Sequence, residues 1–172
     1  IVSVDAAGIV RPTATGTGRI AVTANGVTTR IPVEVGALTA QPVDFERDVQ
    51  PILTRFGCNS GACHGKQRGQ NGFQLSLLGF DSEFDHNAIS KEARGRRVFP
   101  AAPEHSLFLM KATGQSAHGG GKKMDVNSEE YKIVRRWIAS GLPYGSTTDP
   151  TVVKVSVVPE SRDIDRQCRQ QP

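Results

Sequence analysis

Apolar and polar residues alternate along the first fifth of the chain. The segments "IVSVD", "RIAVTA" and "TTRIPVEV" all lie within residues 1–36. A period of two sends successive side chains to opposite faces, which predicts half-buried strands. Asn25-Gly26 stands between the second and third segments. Both residues tolerate positive φ, so a hairpin is predicted there. Residues 37–42, in the stretch "GALTAQP", read as a linker.

From residue 43 the period lengthens. In "VDFERDVQPILTRF", the residues Phe45, Val49, Ile52, Leu53 and Phe56 share one helical face. Asp44 or Asp48 can cap that helix, and Pro51 is tolerated only near its first turn. "DSEFDHNAISKEA" predicts a short helix capped by Asp81, and "PEHSLFLMKATG" another, opened by Pro103 and closed by Gly114. "NSEEYKIVRRWIASGLP" is the strongest helix signal. Asn127 or Ser128 caps it, Glu129 and Glu130 favour its positive end, and Gly141-Leu142-Pro143 stops it. Tyr131, Val134, Trp137 and Ile138 form its buried stripe. Beyond residue 146 the character changes again: "TVVKVSVVPES" is strand-like and "RDIDRQCRQQP" is polar. The predicted organisation is a mainly α domain over 43–146, a small β segment over 1–36, and a strand-like tail over 147–172.

With 172 residues, the chain suits one domain or one plus a partial second. Only 6% of residues are aromatic, so a bound hydrophobic cofactor would help fill the interior. The 18 glycines and 10 prolines predict many turns. The net charge of +4 is modest and its basic residues are dispersed, without aromatic interleaving. That pattern excludes a nucleic-acid module and leaves an acidic protein partner or a bound anion. No apolar run is long enough to span a membrane. The chain opens on "IVSVDAAGIV" without an initiating Met, and reads as a processed or excised piece of a larger protein.

The candidate chemistry is in "GCNSGACHG", where four residues separate Cys58 from Cys63-His64. A c-type haem attachment site usually has two residues between its cysteines. Its strict part is the adjacent Cys-His: one thiol bonds a vinyl group and the next residue supplies an axial nitrogen to iron. The first Cys has only to reach the other vinyl, so an insertion carrying Gly61 and small neighbours can loop outward. Two other readings stay open on the motif alone. The spacing suits a zinc ligand pair, but a structural zinc needs four ligands and no second Cys pair is present. A disulfide suits an exported protein but leaves His64 unexplained.

The surroundings carry two resemblances. "DAAGIVRPTATGTGRIAVTANGVTTRIPVEV" resembles the C-terminal half of a bacterial Ig-like domain of the group 2 type. The tail resembles the opening strand of another such module. The stretches "VDFERDVQPILTRFGCNSGACHGKQRGQNGFQLSLLGFDSEFD", "EARGRRVFPAAPEHSLFLMKATG" and "HGGGKKM" followed by "SEEYKIVRRWIASGLP" resemble planctomycete-type cytochrome c domains, which use the same stretched C-x4-C-H site. This resemblance implies a cytochrome c-like fold, one covalent haem c held by Cys58, Cys63 and His64, and iron ligation by His64. It implies a distal ligand in the loop before the last helix, where His118 is favoured and Met124 is the alternative. His86 and His105 read as surface or capping residues, and Met110 as core packing. Arg96 and Arg97, with Arg94 beside them, are candidate partners for the haem propionates. Lys122 and Lys123 are candidates for the same role or for steering an acidic redox partner.

The function implied is electron transfer by an exported, periplasmic or otherwise extracytoplasmic, single-haem domain serving an unknown redox partner. The alternative is a haem-based sensor or enzyme whose distal position is open. No acid/base pair flanks the motif, which weakens an enzyme reading. The partial Ig-like segments suggest strand exchange or a dimer. Cys168 is left over, and reads as an unpaired Cys.

Overall fold

In a computed structural model of the chain, the described residues are 1–6, 8–37, 42–146, 152–157 and 161. Cys168 and most of the predicted tail lie outside them. The chain divides into two units, one ending at Pro42 and one beginning at Val43.

The first unit contains two antiparallel pairs. Strand β1 (Val2–Val4) pairs with β2 (Val10–Pro12), and β3 (Gly16–Ala24) pairs with β4 (Val27–Val35). Asn25 and Gly26 turn the second pair with φ of 51° and 78°. Positive φ at both central residues is the twist-matched geometry of a two-residue hairpin. Ala24 therefore faces Val27, and the register runs without a break to Gly16 opposite Val35. None of the described residues of this unit is buried. The strands are in place, but these pairs enclose no core of their own.

The second unit is built around Trp137. Its chain enters through a wide π-type turn, Phe45–Val49, in which the Gln50 N–H reaches back five residues to the Phe45 carbonyl. Asp44 caps that turn, its Oδ1 accepting from the Arg47 N–H at 2.8 Å. The widening lets Pro51 sit in the first turn of α1 (Gln50–Arg55) without driving its ring into the carbonyl four residues back. Helix α2 (Ser82–Ser90) is capped by Asp81, which accepts from the Phe84 N–H at 2.9 Å. The segment predicted as one helix after Pro103 is a single 3₁₀ turn, Pro103–His105, followed by α3 (Leu107–Ala112). Helix α4 (Glu129–Ala139) is capped by Ser128 and buries Tyr131, Val134, Trp137 and Ile138.

Helix α4 packs on the chain's entry. Phe45 lies 5.5 Å from Trp137 between ring centres, and its N–H meets the carbonyls of Pro143 and Tyr144. The Trp137 indole N–H donates to the Pro143 carbonyl at 2.9 Å. His86 completes this cluster against Phe45, Trp137 and Tyr144, with its Nε2 at 2.8 Å from the Leu142 carbonyl. It is buried, where a surface or capping histidine was expected.

The predicted mainly α, cytochrome c-like architecture is not what is found. The described residues form a small mixed α/β protein with four α-helices and two small antiparallel sheets. Two of the helices, α1 and α3, have only six residues each. Left-handed residues interrupt the chain at Gly57, at Leu78-Gly79, at Ala93-Arg94-Gly95 and at Gly114. A right-handed helix cannot propagate through such positions, so much of the polypeptide between the short helices is turns. Val152–Val157 belong to no strand; Val153 is 94% exposed. Among the described residues, no helix is long and apolar enough to cross a membrane.

Candidate functional site

The four residues between the cysteines form a closed turn. Gly57 adopts φ 67° at the end of α1, and the Cys58 N–H donates to the Leu53 carbonyl at 2.8 Å. The chain then folds back on itself. The Cys63 and Gly65 N–H groups both donate to the Ser60 carbonyl, and the His64 N–H donates to the Cys58 carbonyl at 2.9 Å. The inserted residues thus bring Cys63-His64 back against Cys58, with Gly61 and Ala62 facing solvent. Asn59 is the buried pin of this turn. Its Nδ2 donates to Thr54 Oγ1 at 2.9 Å, and its carbonyl accepts from the Leu78 N–H. Gly65 is required by close approach, because a Cβ there would stand 1.9 Å from the Asn59 carbonyl oxygen.

A cleft of about 450 Å³ opens beside this turn. Cys58, Cys63, His64, His118, Lys123 and Met124 line it, with apolar walls from Leu53, Phe73, Phe108 and Val134. Its size is that of a small-molecule site. The two cysteines are not bridged. Among the described residues, no group of three or more His, Cys, Asp or Glu is gathered closely enough to hold a metal ion as they stand.

The cleft brings His64 and His118 together. Their ring planes are parallel within 4° and their centres are 6.3 Å apart. Each uses the same nitrogen for the protein. His64 Nδ1 lies 2.9 Å from the Phe73 carbonyl, and His118 Nδ1 lies 2.8 Å from the Gly121 carbonyl. A carbonyl only accepts, so each ring in its neutral form carries the proton on Nδ1 and keeps a lone pair on Nε2. That is the tautomer of a metal-ligating histidine with its outer partner in place. With Nδ1 committed in both rings, Nε2 is the nitrogen left to act as a donor in each. Gly120 permits the placement of His118, since a Cβ there would come within 3.1 Å of its Cε1.

Burial, the largest influence, holds His64 below the ordinary imidazole value. The Phe73 carbonyl opposes that shift, and the nearby His118, Arg97 and Lys123 charges add to it. Burial also raises the Cys58 thiol, against the pull of the Lys123 ammonium. A neutral imidazole and a protonated thiol are the forms this cleft favours.

The other predicted residues fall in different places. Met124 lines the cleft but belongs to the hydrophobic core at 6% exposure. Arg96 is exposed at the cleft. Arg97 is buried, and its guanidinium is committed to main-chain oxygens: Nη1 donates to the carbonyls of Ala88 and Glu92, and Nη2 to that of Gly72. His105 is exposed, and Met110 is half-buried on α3.

Sequence reasoning missed two supports of the site. Phe73 packs on His64 with ring centres 4.5 Å apart. Asp85 is fully buried and accepts from the Ser76 N–H and Oγ–H and from Gln50 Nε2, fixing the strand-like stretch that leads back to His64. The signal for Asp85 was present: it shares the buried face of α2 with Ala88 and Ile89, so a carboxylate stands where the helical period calls for an apolar side chain. Comparison with family models, curated proteins and solved structures finds no match to the chain.

Proposed function

We propose that the cleft holds one covalently attached haem and that the protein transfers electrons. The observation that carries this reading is the parallel pair of His64 and His118, both with Nδ1 committed to a carbonyl, standing beside two unbridged cysteines. The donor set fits the group. Cys58 and Cys63 would supply thiols for thioether links to the haem, and His64 and His118 would supply nitrogen donors to its iron through Nε2. Bound haem iron supplies reversible one-electron chemistry, at a potential lower with two histidines than with a His–Met pair.

The chain's own residues do the remaining work. The Asn59–Ala62 turn sets Cys58 and Cys63 on one side of the cleft. The Phe73 and Gly121 carbonyls orient the two imidazoles. Leu53, Phe108 and Val134 exclude water, and Lys123 and Arg96 place positive charge at the rim, where an anionic substituent or an acidic partner is favoured. Covalent haem c is assembled outside the bacterial cytoplasm, so the proposed location is periplasmic or otherwise exported.

The test is a pyridine haemochrome spectrum together with the mass of the denatured protein. One haem per chain with both vinyl groups consumed is expected. Protein matured in a haem c-assembling host that carries no added mass would refute the proposal. The reduced protein is also expected not to bind carbon monoxide rapidly; rapid, tight binding would place the chain with haem sensors or enzymes instead.

A further inference from the structure

Arg97 was expected at the propionates, yet three of its N–H groups point elsewhere. Its Nη2 holds the Gly72 carbonyl at 2.8 Å, while Nη1 holds Ala88 at 2.9 Å and Glu92 at 3.2 Å. The guanidinium carbon also stands 4.5 Å from the centre of the Phe73 ring, within cation–π range. Phe73 in turn packs its ring on His64 and offers its carbonyl to His64 Nδ1. The contacts form one chain: the end of α2, the Arg97 guanidinium, the Gly72-Phe73 segment, and the His64 imidazole.

Residues 69–73 form a tight turn in which the Gln70 N–H and the Phe73 N–H each meet the other residue's carbonyl. Asn71 and Gly72 both have positive φ. Arg97 ties this turn to α2 by hydrogen bonds, while Asp85 of α2 holds Ser76, three residues past Phe73. An arginine suits the role because its planar fork reaches several carbonyls at fixed angles; a lysine is a single rotatable point charge. Arg97 is only 4% exposed, and that burial is offset by the carbonyls it meets.

We infer that Arg97 is a positioning residue: through Gly72 and Phe73 it holds the carbonyl that fixes the His64 tautomer and ring orientation. The inference rests on the haem reading for its redox consequence, but its structural core concerns the apoprotein alone. A carbonyl at Nδ1 raises the basicity of the ligating nitrogen. Stronger donation favours the ferric state, so loosening that carbonyl raises the midpoint potential.

The experiment compares wild type with Arg97→Lys, which keeps the charge and loses the fork. ¹⁵N NMR of the apoprotein reads the His64 tautomer, and redox titration of the haem-loaded protein reads the potential. In wild type, neutral His64 is expected to be uniformly Nδ1-protonated. In Arg97→Lys a mixed tautomer population and a raised potential are expected, with the folded ¹H–¹⁵N pattern retained. If Arg97→Lys does not fold, Phe73→Leu carries the test. It keeps the carbonyl but removes the ring held between guanidinium and imidazole, and the same two changes are expected. A folded variant with an unchanged tautomer and an unchanged potential overturns the inference. Failure of the haem reading shows separately, as absence of covalent haem in wild type, and leaves the tautomer measurement intact.

Discussion

Two glycines of one turn should respond very differently to the same added methyl group. At Gly65, a Cβ would lie 1.9 Å from the Asn59 carbonyl oxygen and 2.6 Å from its carbon, both main-chain atoms that cannot rotate away. Restoring ordinary contact requires a withdrawal of about 1.5 Å, from 1.9 to 3.4 Å. That movement breaks the Gly65 N–H to Ser60 and His64 N–H to Cys58 hydrogen bonds, now at 3.0 and 2.9 Å. Each bond contributes about 1 kcal/mol, and overpacking adds about 1–3 kcal/mol. The expected destabilisation of Gly65→Ala is therefore about 3–5 kcal/mol. At Gly61 the nearest atom to a new Cβ is Leu77 Cδ1 at 3.8 Å, an ordinary contact at an exposed position. Gly61→Ala should change stability by less than about 0.5 kcal/mol. The assay is urea unfolding of the two apoproteins. With a slope of about 1–3 kcal/mol per M, Gly65→Ala should lower the midpoint by 1 M or more. A Gly65→Ala midpoint within error of wild type would refute the closed-turn argument.

Three further outcomes are expected. Asp85→Ala strands the Ser76 N–H and hydroxyl and the Gln50 amide in the interior, and should cost about 3 kcal/mol or more by the same urea assay. His64 is held below its unfolded value, so the unfolded apoprotein takes up a proton first as pH falls. Apoprotein stability should therefore decline from about pH 6.5 down to the folded value, and His64→Gln should lack that part of the slope. On the proposed haem reading, His118→Ala should give a protein whose reduced form binds carbon monoxide. Met124→Ala should cost about 2–5 kcal/mol through loss of core packing and leave the ligand spectrum unchanged. A reversal of those two results would move the distal ligand to Met124.

Much of the local structure was legible from short-range chemistry. Asn25-Gly26 specifies its turn because few residues accept two successive positive φ angles. Asp81 and Ser128 specify helix starts because their side-chain oxygens satisfy main-chain donors three residues on. The buried stripe of α4 follows from its period, and the Cys-His pair from its covalent adjacency. Other features depend on contacts distant in sequence. Whether Arg97 faces an anion or a carbonyl turns on where Gly72 comes to lie, 25 residues away. His86 is a buried residue only because Leu142 supplies a carbonyl to its Nε2, 56 residues on. The mainly α expectation failed for the same reason. A helical period states which face is apolar, but left-handed residues such as Leu78, Ala93 and Arg94 decide where each helix stops, and nothing in their side chains announces positive φ. Sequence by itself determined which nitrogen and sulfur atoms are available near Cys58. The family resemblance pointed to His118, but only the tertiary structure decided that its ring lies parallel to that of His64 with both Nδ1 atoms on main-chain carbonyls, because packing and loop closure make that arrangement and no local preference does.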